Sequence, residues 1–177
     1  TFRGIDFVCR NGPAILSTLV SSTGYSLLTV VAAVLLSLRP AEVLARYEFP
    51  GRIFLEALLL SPVLIPSIAW ATGLHFLLIR LGLANTRAGV VLVLTAAYYP
   101  YVLRSLIAGY QQIDPDYDTC AENLGAGSFR RLVTVHLPLL GPAILAGGSV
   151  VFLVAFSEYF LVFLTGGGVV SSYTGYL

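Results

Sequence analysis

The chain has 177 residues, of which 57% are hydrophobic and only 11% are charged. Soluble domains carry about 25% charged residues, so this composition, with a mean hydropathy of +0.87, excludes an ordinary soluble domain and points to an integral membrane protein. The formal net charge of +1 offers no basis for a nucleic-acid partner.

The chain opens on a short charged lead-in with Arg3, Asp6 and Arg10. It has neither the n-region nor the cleavage site of a signal peptide. Crossing a bilayer takes about 20 apolar residues. The first such run covers residues 11–38, between Arg10 and Arg39. The second covers 57–79 and is closed by Arg80; the third starts after Arg87 and reaches about residue 108, with Arg104 near its end. The fourth covers 137–165 and holds one charge, Glu158. These runs are too long and continuous for the ten-residue alternation of a membrane barrel. The expected fold is all-α, a polytopic transmembrane helix bundle with four spans visible. Residues 1–177 are read as one transmembrane domain that continues beyond both ends.

Every one of the ten basic residues is arginine. Six of them (Arg39, Arg46, Arg52, Arg104, Arg130, Arg131) fall on one side of the expected bundle and four (Arg3, Arg10, Arg80, Arg87) on the other. Cytoplasmic loops carry the excess of basic residues, which puts the 39–52 and 110–136 loops in the cytoplasm and residues 1 and 166–168 outside. Prolines punctuate the spans: Pro62 and Pro66 break the second, Pro100 interrupts the third, and Pro138 and Pro142 open the fourth. Each proline frees a carbonyl, and such breaks are tolerated where a neighbour or a cavity satisfies it. A moving or channel-lining bundle is the expectation.

The 110–137 segment reads as two short helices and a hinge. Asp114 caps the first helix, Pro115 takes its first position, and Asp116 and Asp118 occupy the first turn, where the helix dipole favours acids. Gly125 closes that helix, Glu56 is expected to pair with Arg52 across one turn, and Ser128 is expected to cap the second short helix. The "DPDYD" run fails as a calcium loop, because Thr119 and Gly125 stand where glycine and glutamate are needed.

This segment resembles the signature loop of the permease subunits of binding-protein-dependent ABC importers, of the type I fold. That pattern is Glu-Ala-Ala, three residues, Gly, nine residues, Ile-x-Leu-Pro. The glycine falls on Gly125, and Val135, Leu137 and Pro138 follow in register. Thr119, Cys120 and Ala121 stand at the Glu-Ala-Ala positions, with Glu122 three residues after Thr119. "ARYEFPGR", "SPVLIPSIAWATGL" and "LANTRAGVVLVLTAAYYPYVLRSLIAGYQQID" look like the matching preceding segments, and "AFSEYFLVFLTGGG" is similar to the branch that handles polyamines, ferric iron and thiamine.

The resemblance implies a translocation subunit of the bacterial inner membrane. Residues 110–137 would dock on a cytoplasmic ATPase dimer, with a second permease subunit and an external solute-binding protein completing the assembly. Gly125 would allow a tight turn where a side chain would clash, and Leu137 and Pro138 would fix the exit into the fourth span. The chain itself is expected to bind no cofactor and no metal. Without a lysine it cannot form the GxxxxGK[ST] phosphate loop, so ATP and magnesium belong to the partner. The alternative class is a secondary transporter or channel fragment, which also uses kinked helices and buried ionisable groups.

Four other residues are candidates for a translocation path. Glu158 lies inside the fourth span and either faces the path or pairs with Arg80 or Arg87 outside. His75 is a path residue or a hydrogen-bonded bundle residue. Tyr98 and Tyr99 line a cavity or pack between helices. Arg130 and Arg131 contact the ATPase or anchor topology, and Gly147 and Gly148 are expected to let helices approach closely. No triad or carboxylate pair suggests enzymatic chemistry. The two cysteines test the topology: an impermeant thiol reagent applied outside should label Cys9 where it is exposed and leave Cys120 unlabelled. The reverse labelling would overturn the orientation.

Overall fold

The computed structural model describes the backbone of residues 2–167 and 170, and their side chains except at 2–14, 67, 68 and 70. Among these residues the chain is helical throughout, without strands. Helix α1 spans Phe2–Arg46, α2 Arg52–Leu60, α3 Ser67–Arg80 and α4 Arg87–Gln112. The polar loop contains α5 (Asp116–Asn123) and α6 (Ser128–Arg131), followed by a π-helical turn at Leu132–His136 and a short α7 at Leu137–Leu139. Helix α8 covers Gly141–Ser157 and α9 Phe160–Gly166.

Helix α1 shows how a membrane segment turns its pattern inside out. Beside Tyr25, Leu38 and Leu44, its buried positions are Thr18, Ser22, Ser26, Thr29, Ala33, Ser37 and Ala41, a stripe of small residues at helical spacing. Its exposed positions include Leu16, Val20, Leu27, Leu28, Val31 and Leu35. Lipid accepts leucine as readily as a protein core does, so close backbone approach and short hydroxyls decide which face is buried. The hydroxyls close locally: Thr29 Oγ1 donates to the Tyr25 carbonyl at 2.8 Å and Tyr25 OH to Ser22 Oγ at 3.1 Å.

Helix α4 is the centre of the bundle, packed against both α1 and α8. Val102, Leu103, Leu106, Ile107 and Tyr110 of α4 share one core cluster with Ala33, Leu38, Ala41 and Leu44 of α1 and Val151 of α8. Thr86 caps its start by accepting the Gly89 N–H at 3.0 Å. The helix runs through Pro100 without interruption, contrary to the sequence expectation; tertiary packing on two sides holds it together despite the missing donor.

The expected second and fourth spans are both built from pieces. Among the described residues two helices, Ile15–Arg46 and Arg87–Gln112, are long and apolar enough to cross a membrane unaided. The second expected span divides at a 3₁₀ turn, Ser61–Leu64, and resumes as α3 after Pro66. Pro62 cannot donate to Leu58, and the freed carbonyl accepts Ser61 Oγ at 2.7 Å instead. The fourth begins later than Pro138 suggested: the chain bends by 72° between Ser128–Leu139 and Gly141–Ser157, and Pro142 sits in the first turn of α8. It breaks again at Glu158 and Tyr159, before α9.

Close approach of α8 to α4 depends on Gly147. A Cβ there would lie 2.9 Å from the Ser105 Cβ and 3.0 Å from the Val102 Cα, and one at Gly148 would lie 3.2 Å from Val30 of α1. Both glycines therefore act as the sequence expects. Gly147→Leu should destabilise the bundle by about 1–3 kcal/mol through overpacking, read as a lower Tm in detergent. Gly24→Ala, whose Cβ meets nothing within 4 Å, should hold or raise Tm.

Candidate functional site

The loop between α4 and α8 folds into a small helical knob at the Arg46 end of the bundle. Its first helix starts at Asp116, one residue later than the sequence places it, with Pro115 at the cap position and the Asp114 carboxylate accepting the Asp116 N–H at 3.0 Å. Its end is a double hydrogen bond that satisfies the last carbonyls: Gly125 N–H to the Glu122 carbonyl and Ala126 N–H to that of Ala121, both at 2.9 Å. Gly125 sits at φ +76. Contrary to expectation, a Cβ at Gly125 would meet nothing within 4 Å. The glycine is required by the left-handed backbone, not by space.

The second half departs in three details. Gly127, not Ser128, stands at the cap of α6, and no side chain caps that helix. A π-helical turn follows at Leu132–His136, a form that concentrates at functional sites. Leu137 and Pro138 lie in α7, so the exit into α8 is set by the bend at Leu140, which is fully buried.

Asp118 is the organising group. Its Oδ2 lies 2.7 Å from Arg46 Nη1 at the end of α1, and its Oδ1 lies 2.7 Å from His136 Nε2. Arg131 Nε approaches the same Oδ1 at 3.2 Å, while Arg131 Nη1 bonds Glu122 Oε1. The His136 ring is buried and meets the Tyr110 ring edge-on at 5.4 Å between centroids. Arg46 lies over the face of Tyr110, 5.9 Å from its centroid, within cation–π range. One carboxylate thus joins α1, α5 and the π-helical turn. The sequence reading placed Asp118 only as a first-turn acid and gave Arg46 and His136 no partner. The signal was present in the orientation argument, which put the 39–52 and 110–136 loops on the same side.

The signature positions divide by exposure. Ala121 is buried; Val135 and Leu137 are half-buried; Thr119, Cys120, Glu122, Gly125 and Pro138 are exposed. Beside them the knob displays large apolar side chains, with Leu124 85% and Phe129 77% exposed. Arg131 turns inward to the carboxylates and Arg130 stays exposed.

Glu158 ends α8 and opens α9. Its Oε2 accepts the Tyr98 hydroxyl at 2.5 Å and its Oε1 the Leu161 N–H at 3.3 Å. The structure brings two of the path candidates together in this bond, and among the described residues the alternative pair with Arg80 or Arg87 is not formed. Tyr99 donates to the Leu59 carbonyl at 2.6 Å, which ties the broken second span to α4. His75 is half-buried, and its Nδ1 has no hydrogen-bond partner among the described residues. Glu56 pairs with Arg104 at 3.2 Å and not with Arg52, because the turn at Ser61–Leu64 lets α2 approach α4. An apolar groove of about 680 Å³ lies alongside, between Leu60, Leu64, Tyr101, Arg104 and Gly147. At the other end, Asn85 N–H donates to the Thr165 carbonyl at 3.0 Å, tying the α3–α4 turn to α9. Residue 168 and the side chain of Cys9 lie outside the described residues.

The family model described as "Binding-protein-dependent transport system inner membrane component" matches residues 33–176. A trehalose transport system permease protein of Mycobacterium tuberculosis is 31% identical over 160 residues, covering 90% of this chain and 57% of that protein. A probable sulfate transport system permease protein of Nephroselmis olivacea is 33% identical over 141 residues, covering 73% of this chain and 50% of its own length. The chain thus spans about half the length of the relatives it matches. A solved bacterial ABC transporter involved in importing the acidic polysaccharide alginate superposes with a TM-score of 0.71 at 17% identity, over 85% of this chain and 52% of that one. At that identity the likeness shows a shared fold.

Removing the Asp118 carboxylate leaves the Arg46 guanidinium at the end of α1 without its acid, while Arg131 keeps Glu122. The pair is partly shielded from solvent, so losing it should loosen the knob. Asp118→Ala should therefore speed amide hydrogen exchange across residues 114–136 and leave the centre of α4 protected.

Proposed function

The chain belongs to the family of inner-membrane components of binding-protein-dependent transport systems, and from that premise we propose that it is a permease subunit of an ATP-driven importer in a bacterial inner membrane. The observation that carries the reading is the knob formed by residues 110–137. It is compact, closed by a glycine-dependent turn and pinned by Asp118, and it shows Leu124 and Phe129 to its surroundings. Apolar side chains in a polar loop at a membrane face fit a protein partner better than water or headgroups.

The partner is a cytoplasmic ATPase dimer that uses ATP and magnesium; this chain binds neither. A second permease subunit and an external solute-binding protein complete the importer. This reading sets the Arg46 end in the cytoplasm. Thr119, Cys120 and Glu122 lie on the exposed part of the docking helix, with Gly125 at its tip. Val135, Leu137 and Pro138 connect the knob to α8. The translocation path is proposed to pass the broken fourth span, where Glu158 and Tyr98 meet, with Tyr99 and His75 proposed as further path residues. A carboxylate at that depth favours a cationic solute. This agrees with the polyamine, ferric iron or thiamine branch suggested by "AFSEYFLVFLTGGG"; the relatives carry names for sugars and sulfate. Uptake of labelled members of both groups by the reconstituted importer decides between them.

Gly125→Trp tests the docking role. A non-glycine residue at left-handed φ costs roughly 1–2 kcal/mol, and a bulky ring would stand on the docking face. Membrane insertion should be unchanged, while copurification of a P-loop ATPase partner and ATP-coupled uptake should be lost. Normal uptake by this variant would contradict the docking role.

A further inference from the structure

Helix α5 has little packing to hold it. Ala121 is its one buried residue. Residues 113–115 join it to α4. On the side toward α1 there is a cavity of about 430 Å³, walled by Glu42, Arg46, Tyr110, Asp118 and Glu122. A helix attached in this way can swivel, and a force applied to it would be absorbed as rotation.

Charge bridges the gap that packing leaves open. The two oxygens of Asp118 are used differently: Oδ2 holds Arg46 of α1, and Oδ1 holds His136 of the π-helical turn. Arg46 is the last residue of α1, a 45-residue helix packed along α4 and α8. Its side chain is 16% exposed and that of Asp118 18%, so the pair is largely shielded from solvent screening. Glu122 cannot serve in this way. It is 61% exposed and bonds Arg131, which belongs to the same knob. Its ion pair ties the loop to itself.

We propose that Asp118 is a positioning residue that makes the docking helix move as one body with α1, so that displacement of α5 reaches the membrane helices through Arg46. The proposal rests on the docking role assigned above. It also gives the loop's acid a place: Asp118, one residue before Thr119, reaches out of the knob, and Glu122 does not.

Pulsed electron resonance on the assembled importer tests the tie. Spin labels go on Tyr47→Cys and Asp116→Cys, with Cys9→Ser and Cys120→Ser, and the intrachain distance is measured with and without ATP plus vanadate. With Asp118 in place, the distribution should be narrow and unmoved by ATP. Asp118→Asn and, independently, Arg46→Gln should broaden it and make its maximum shift on ATP addition. Asp118→Glu, which keeps the charge, should restore the narrow distribution, and Glu122→Gln should leave it unchanged. A distribution in Asp118→Asn as narrow and ATP-insensitive as the parent's would overturn the tie, and so would an ATP-driven shift in the parent. Docking is read separately, from protection of native Cys120 against a maleimide by the ATPase. Protection together with an unaltered Asp118→Asn distance rejects the tie alone. Absence of protection rejects the docking role and the tie with it.

Discussion

The polar end of this molecule depends on one carboxylate held between two guanidinium groups and an imidazole. Asp118 receives Arg46 from α1, His136 from the π-helical turn and Arg131 from the knob. Without it, α5 would be tied to the bundle by residues 113–115 and one buried alanine, with Glu122 bonding only Arg131 of its own knob. In the membrane core, small residues let helices touch, as Gly147 does against Val102 and Ser105. At the face of the bundle that device is not used, and ion pairs shielded from water do the fastening. The structure thus has two regimes of cohesion, close packing within the apolar spans and charge at their border.

That division explains how the chain combines movement with definition. The second and fourth spans are broken, at Pro62–Pro66 and at Glu158. Each break is stabilised by a tyrosine of α4: Tyr99 takes the Leu59 carbonyl, and Tyr98 bonds Glu158. Helix α4 itself is unbroken and carries the largest share of the core. The bundle therefore has a continuous spine flanked by segmented helices, an arrangement in which the segments can shift while α4 keeps register with α1.

Much of this was legible in the amino-acid pattern. Four apolar runs, the proline breaks in the second, the start of α5 within one residue and the terminating Gly125 are local features, and local chemistry decides them. Other features come from contacts between distant residues. Glu158 meets Tyr98 across 60 positions and Glu56 meets Arg104 across 48, so neighbours in the chain, Arg52 for Glu56, were misleading partners. The bend at Leu140 and the unbroken course through Pro100 likewise follow from packing on α4. Gly125 closes its helix at a φ of +76, as a terminating glycine should, while the clash expected of a side chain there is absent because the space around it is open.

The central claim is that the knob at the Arg46 end is the surface an ATPase engages. A photoreactive amino acid placed at Leu124 or Phe129, compared with one at Leu81 in the turn at the opposite end, tests it directly. All three positions are exposed, at 85%, 77% and 60%. In membranes containing the assembled importer, illumination should crosslink the ATPase to positions 124 and 129 and not to 81. Crosslinks that favour 81, or none from 124 and 129 in a complex that hydrolyses ATP, would contradict the account.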